Sequence, residues 1–248
     1  MSSFWVLWRK ELAGYFLSPV AYVTTAFFLL VMGLVFYLLT GILAAGTPGV
    51  GLMNLMFGSP FYWMTQLVVV PVLTMRLFAE ERRMGTLETL LTAPITDTQV
   101  VAAKFAGVFS FYTIMWIPTA LFLVGLQAYA AESPPLDPGV IAAGYFGMLL
   151  SGAMYLAIGL LCSLTTSNQI VAAISCFSLL ILVLFAGFVE YLTAHPAARI
   201  LTDLMAPHRH MMDFARGVVD TRPVIYFVSV TIGCLFTAVR LLESRQWR

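Results

Sequence analysis

Charged side chains are missing from long stretches of this chain, and that absence dictates where the chain can lie. No Asp, Glu, Lys or Arg interrupts Leu12 to Met75 (64 residues), Phe105 to Ala131 (27), Pro138 to Val189 (52) or Pro223 to Val239 (17). A charge at a bilayer centre costs about 2.5–3.5 kcal/mol on insertion scales, and a helix needs about 20 apolar residues to cross. The 64-residue interval therefore holds two spans, parted by Gly46-Thr47-Pro48-Gly49, and the 52-residue interval two more, parted by Thr165-Thr166-Ser167-Asn168-Gln169. With one span in each remaining interval, six transmembrane helices are expected, at 20–44, 61–78, 98–125, 139–164, 168–191 and 223–241. A transmembrane barrel would alternate apolar and polar residues, whereas Val68 to Leu73 and Leu179 to Phe185 are apolar all round. The chain reads as an all-α integral membrane protein forming one domain, 1–248.

Composition agrees. Only 10% of the residues are charged, against roughly 25% in soluble domains. The 13 basic and 12 acidic residues nearly cancel, so no charge excess points to nucleic acid as a partner. Cys162, Cys176 and Cys234 sit inside apolar runs without metal or disulfide spacing. An even number of spans puts both termini on one side. Arg9, Lys10, Arg76, Arg82, Arg83, Lys104, Arg240, Arg245 and Arg248 gather on that side, against Arg199, Arg209, Arg216 and Arg222 on the other. The basic bias favours both termini on the cytoplasmic side. Arg9-Lys10-Glu11 follows an aromatic cluster and no small-residue cleavage site ends a short apolar core, so the first span is expected to be retained.

Ahead of the first span, Trp5, Trp8, Leu12 and Tyr15 recur at helical spacing. They predict an elbow helix over 1–19, lying among membrane lipid headgroups before Ser18-Pro19 turns the chain inward; the plainer alternative is a first span that begins early. The inner connection 79–97 carries Met84, Leu87 and Leu91 on one face, with Glu80, Glu81, Arg82 and Arg83 in its first turn and Pro94 at its end. It reads either as a solvated helical hairpin or as a docking element. Thr96-Asp97-Thr98-Gln99 then has the form of a capping box that opens the third span. On the outer side, 192–222 contains His208 and His210, which point apart on a helix, so no metal site is expected. Met211, Phe214 and Val218 predict a short amphipathic helix on the outer membrane surface. Pro71 and Pro118 are expected to kink the second and third spans. Ala143, Gly147 and Ser151 form a small-residue stripe on the fourth, where another helix can approach closely.

No charge occupies a span centre, where a gradient-driven carrier or channel would keep one. No His lies within a span, which argues against bis-His haem ligation or an intramembrane Ser-His protease. Neither Lys10, followed by Glu11, nor Lys104, followed by Phe105, can belong to a phosphate-binding loop. The chain has no nucleotide motif and is not expected to be an enzyme. An external motor docking on the inner amphipathic helix would reconcile these features.

The stretch Pro71 to Pro94, containing Arg76-Leu77-Phe78-Ala79-Glu80-Glu81-Arg82-Arg83-Met84-Gly85-Thr86-Leu87-Glu88, resembles the ABC-2 type permeases of ATP-binding cassette transporters. The likeness is strongest to their gliding-motility branch. Lys10-Glu11-Leu12, Phe16 to Tyr22 and Phe214 to Arg222 resemble it too, while Thr89 stands where the signature has Leu. The resemblance implies a type V exporter-like fold with six spans and an elbow helix, and two permease subunits, identical or paralogous, enclosing the path. It also implies a coupling helix seated on one of two cytoplasmic ATPase subunits, which bind the ATP and Mg; this chain would bind no cofactor itself. That docking role carries over to Glu80, Glu81, Arg82, Arg83, Met84, Gly85, Thr86, Leu87, Glu88 and Leu91. An exporter permease is the function implied; a non-transporting scaffold that passes ATPase motion to a periplasmic partner through 192–222 is the alternative.

Overall fold

The computed structural model describes residues 3–44, 51–86, 95–129, 137–186 and 206–244. Among the described residues there are helices and no strands. In chain order the helices are α1 (Ser3–Leu17), α2 (Pro19–Ala44), α3 (Leu52–Gly58), α4 (Pro60–Thr74), α5 (Ala79–Arg83), α6 (Asp97–Tyr129), α7 (Pro138–Thr165), α8 (Gln169–Ala186), α9 (Pro207–Ala215) and α10 (Thr221–Glu243).

Among the described residues, five stretches are long and apolar enough to cross a membrane: Pro19–Ile42, Pro60–Arg83, Asp97–Gly125, Pro138–Thr165 and Thr221–Glu243. The expected span 168–191 is seen as the shorter apolar helix α8, and its residues past Ala186 lie outside the described residues.

Local chemistry accounts for the breaks. Pro19 has no N–H to continue α1 and takes the first position of α2, so the two are separate helices joined at Ser18. Asp137 caps α7 by accepting from the Gly139 N–H at 2.8 Å. Asn168 caps α8 in the same way through the Ile170 N–H at 2.9 Å. At the expected capping box, the Gln99 N–H reaches Thr96 Oγ1 at 3.4 Å. Pro71 and Pro118 both lie inside helices that continue past them, α4 ending three residues beyond Pro71.

α7 is the central post, packed against α4, α6, α8, α9 and α10. Its apolar window is 78% buried, against 22% for α2 and 17% for α10, which leaves those two on the outside of the bundle. In lipid, helices gain little from hydrophobic transfer and associate through close packing and polar contacts. α7 supplies both. A Cβ on Gly159 would come within 2.3 Å of Thr74 Oγ1, so only glycine lets α4 lie this close. Ala143, Gly147 and Ser151 are all buried. Ser151 Oγ meets the Tyr62 hydroxyl at 3.0 Å, and Gln66 donates to the Tyr112 hydroxyl beside it, pinning α4 to α7 and α6.

Two segments differ from expectation. α3, unforeseen, buries Leu52, Met53, Met56 and Phe57 against the bundle. α9 does not lay its apolar face on the membrane surface: Met211 and Phe214 are fully buried against the other helices, and Val218 lies beyond the helix, exposed. α9 packs on α3 and α7, closing the end of the bundle opposite α1 and α5.

Candidate functional site

The end of the bundle that carries α1 and α5, here termed the basic end, is where the second span gives way to the expected docking segment. α4 stops at Thr74, four residues short of the anticipated limit, and a turn over 75–78 leads into α5. Stopping a helix inside the protein orphans backbone groups that must find partners. The Leu77 N–H serves the Thr74 carbonyl at 3.1 Å, and other partners are side chains from neighbouring helices. The Tyr15 hydroxyl of α1 donates to the Leu73 carbonyl at 2.7 Å. Burial pushes the Tyr15 phenol well above its ordinary pKa, and neighbouring Glu11 adds to the shift, so it stays protonated and remains a donor. On α7, Ser163 Oγ accepts from the Phe78 N–H at 3.1 Å and the Ala79 N–H at 3.2 Å, and donates to the Met75 carbonyl at 3.2 Å. One hydroxyl thereby uses its single proton and both lone pairs on one turn. Arg76 Nη1 donates to Ser18 Oγ at 3.3 Å, tying the same turn to the α1–α2 corner.

At the centre stands Lys104 of α6, only 2% exposed. Its Nζ lies 2.9 Å from Glu11 Oε1 on α1 and 2.7 Å from Glu81 Oε1 on α5, and 5.2 Å from the centroid of the Phe78 ring. A buried ammonium survives only when paired; here two carboxylates from different helices serve it. Trp8 Nε1 donates to Ser110 Oγ at 3.1 Å, and Tyr15 stacks on Phe111 with ring centroids 5.0 Å apart, so α1 lies along α6. Part of the aromatic face expected to meet lipid therefore packs on protein, while Trp5 remains 52% exposed.

α5 itself is five residues long, with Glu80 and Glu81 in its first turn and Arg82 and Arg83 in its last, the order the helix dipole favours. Gly85, at φ +70°, ends it in the left-handed region that glycine tolerates. The predicted docking residues divide. Glu81 turns inward to Lys104, and Glu80 and Arg82 are half-buried. Arg83, Met84, Gly85 and Thr86 face outward, Met84 being 61% exposed. Leu87, Glu88 and Leu91 lie outside the described residues. The sequence reading counted Lys104 among the basic residues of the cytoplasmic side and missed its role. The available signal was a lysine set among Ala102, Ala103, Ala106 and Gly107, a run too small and apolar to tolerate it unpaired.

At the opposite end, His208 lies edge-on to Trp63 at 5.7 Å and His210 rests on Tyr226 at 4.7 Å. The two imidazoles thus serve different helices. Among the described residues, no three His, Cys, Asp or Glu side chains cluster as metal ligands would. The basic end is a bracket: α6 and α7 grip the root of α5 through Lys104 and Ser163, α1 shares Lys104 through Glu11, and Arg83 to Thr86 face outward just beyond.

The profile of a family described as ABC-2 type transporter matches residues 2–219. Two Escherichia coli proteins, from strain K12 and from O157:H7, each named probable multidrug ABC transporter permease YbhR, are 28% identical to the chain over 150 residues. That alignment covers 60% of this chain and 39% of each relative, so the chain matches well under half the length of these proteins.

Proposed function

The chain belongs to the ABC-2 type transporter family, and on that premise we propose that it is the permease subunit of an ATP-driven exporter in a bacterial inner membrane. The five long apolar stretches and α8 make up its six spans, with the basic end in the cytoplasm. α1 serves as the elbow helix and the segment beginning at α5 as the coupling helix. Two such bundles enclose the path, and two separate ATPase subunits bind the ATP and Mg. The motif around Arg76 to Glu88 favours the gliding-motility branch, and the multidrug name of the Escherichia coli relatives makes a drug-like amphiphile the first substrate class to try.

The observation that carries this reading is the bracket. A load-transmitting helix must be rigid at its root and accessible at its tip. α5 is held at its root by Ser163 and Lys104, while Arg83, Met84 and Thr86 are exposed just beyond. Motion of a docked ATPase would reach α7 through Ser163 and α6 through Lys104, and α1 through the Glu11 that shares Lys104. The same bracket would serve a scaffold that moves an outer partner instead of a solute; stable capture of such a partner without solute movement distinguishes that reading. The direct test is Arg83→Glu in the full complex. Membrane insertion should be unchanged, while ATPase co-purification falls about tenfold, equivalent to about 1.4 kcal/mol. Unchanged co-purification together with unchanged transport-linked ATP hydrolysis would refute the docking role.

A further inference from the structure

Cys162 and Cys176, which the sequence sets in apolar runs without disulfide spacing, come together in the structure. Cys162 lies near the end of α7 and Cys176 in the first half of α8, on either side of the turn at Thr166-Ser167-Asn168. Their side chains share a thiol–thiol hydrogen bond across the two helices, and each has a hydroxyl against it, Ser175 beside Cys162 and Thr74 beside Cys176. Both hydroxyls give their protons elsewhere, Ser175 to the Ala172 carbonyl at 3.0 Å and Thr74 to the Val70 carbonyl at 2.9 Å, so they meet the thiols as acceptors. Small buried residues bring the helices close enough for this contact. Gly159 and Ser163 flank Cys162 on α7, and Ala172 lies one turn from Cys176 on α8. A disulfide needs such an approach, since its Cα atoms stand about 4.4–6.8 Å apart.

Burial decides what can reach the pair. Cys162 is 7% exposed and Cys176 1%, and both lie in apolar helices. Charged oxidants dissolved in water are kept from them, whereas a small uncharged oxidant dissolved in the membrane is not. Cys234 of α10 interacts electrostatically with Cys162, yet among the described residues the three thiols do not gather as metal ligands would. The pair therefore suits bond formation between its own sulfurs.

We propose that Cys162 and Cys176 are a redox-sensitive pair that membrane-soluble two-electron oxidants, of the quinone class, convert to a disulfide that locks α8 onto α7. Both S–H bonds break and one S–S bond forms, while the two electrons and two protons pass to the quinone, which leaves as the quinol. Ser163, next to Cys162, holds the Phe78 and Ala79 amides, so the link ties α8 to the helix that grips the root of α5. The assignment needs only that the chain lies in a membrane, and not the permease reading. Its test uses the purified full chain in lipid nanodiscs, treated either with diamide or with glutathione disulfide. Diamide is uncharged, and its N=N bond takes up the same two electrons and two protons. Free thiols are then alkylated under denaturing conditions and chymotryptic peptides are weighed. Diamide should yield peptides joined through Cys162 and Cys176, lighter by two hydrogens and separated by dithiothreitol, with Cys234 alkylated. Glutathione disulfide should act at least about tenfold more slowly, as shielding requires. The link closes a loop of 15 residues, so the oxidised chain should melt about 6 °C higher. Cys162→Ser or Cys176→Ser should abolish that rise and Cys234→Ser should leave it. Alkylated Cys162 and Cys176 after diamide, a disulfide made to Cys234, equal rates with the two oxidants, or an oxidised chain that melts no higher would each overturn the proposal. The wild-type chain carries all four readouts, so the outcome is decided even if a serine variant does not fold.

Discussion

Replacing Lys104 with Met keeps the aliphatic stem against Phe78 and removes the charge that Glu11 and Glu81 share. At 2.9 and 2.7 Å, each attraction amounts to about 6 kcal/mol gross at an effective dielectric constant of 20. Most of that is offset by the desolvation of the three ions. What the substitution exposes is the penalty of leaving two carboxylates without their cation, about 3–5 kcal/mol when a buried pair is broken. The carboxylate side chains keep 15% and 17% exposure and can recover some water, so the lower end, about 3 kcal/mol, is the expected loss. For a chain of this size that corresponds to a fall in melting temperature on the order of 6–12 °C. Thermal unfolding of the purified chain measures it, with limited proteolysis following release of α1. The decisive comparison is the triple variant Lys104→Met, Glu11→Gln, Glu81→Gln. If stranded charge is the cause, neutralising both carboxylates should restore at least half of the lost stability. A single variant within 1–2 °C of wild type, or a triple variant no better than the single, would refute the reasoning.

Ser163→Ala leaves the Phe78 and Ala79 amides buried without an acceptor, at a cost of about 1–3 kcal/mol. Hydrogen exchange should accelerate at those two amides while the protection of mid-α7 is unchanged. At the other end, burial lowers the pKa of His208. The unfolded state then binds this proton more readily than the folded one, so the contribution is stabilising above the ordinary imidazole pKa and is lost as pH falls through the folded value. Wild type should therefore lose more melting temperature between pH 7.5 and 5.5 than His208→Phe, a comparison made at those two values.

Five of the six expected spans were legible because charge in hydrocarbon is costly enough to leave gaps that can be read without knowing what packs where. The helix breaks at Ser18-Pro19, Asp137-Pro138 and Asn168 were legible for a related reason, since caps and prolines act on their immediate neighbours. α3 was not: Leu52 to Gly58 is an apolar turn of chain inside an already apolar interval, with no change of period to mark it. The motif from Arg76 to Glu88 located the bracket but not its internal division of labour. Whether Glu81 faces a partner or Lys104 depends on a residue 23 positions away, and Ser163 meets Phe78 across a separation of 85. Pairings of that kind leave no local trace. Of the face expected on α9, Met211 and Phe214 share the helix and Val218 falls beyond it, and whether bilayer or protein covers that face is decided by α3 and α7.

The Lys104 node also bears on how the protein is made. Glu11 precedes its cation by 93 residues and Glu81 by 23. At synthesis rates of about 5–20 residues per second, α1 waits roughly 5–20 seconds for the charge that will hold it. Until α6 is made, Glu11 has no cation to meet and α1 has no helix to lie along. Insertion of α6 is the event that gathers α1 and the root of α5, so a nascent chain halted before Lys104 would present both to proteases and chaperones that the finished bundle excludes.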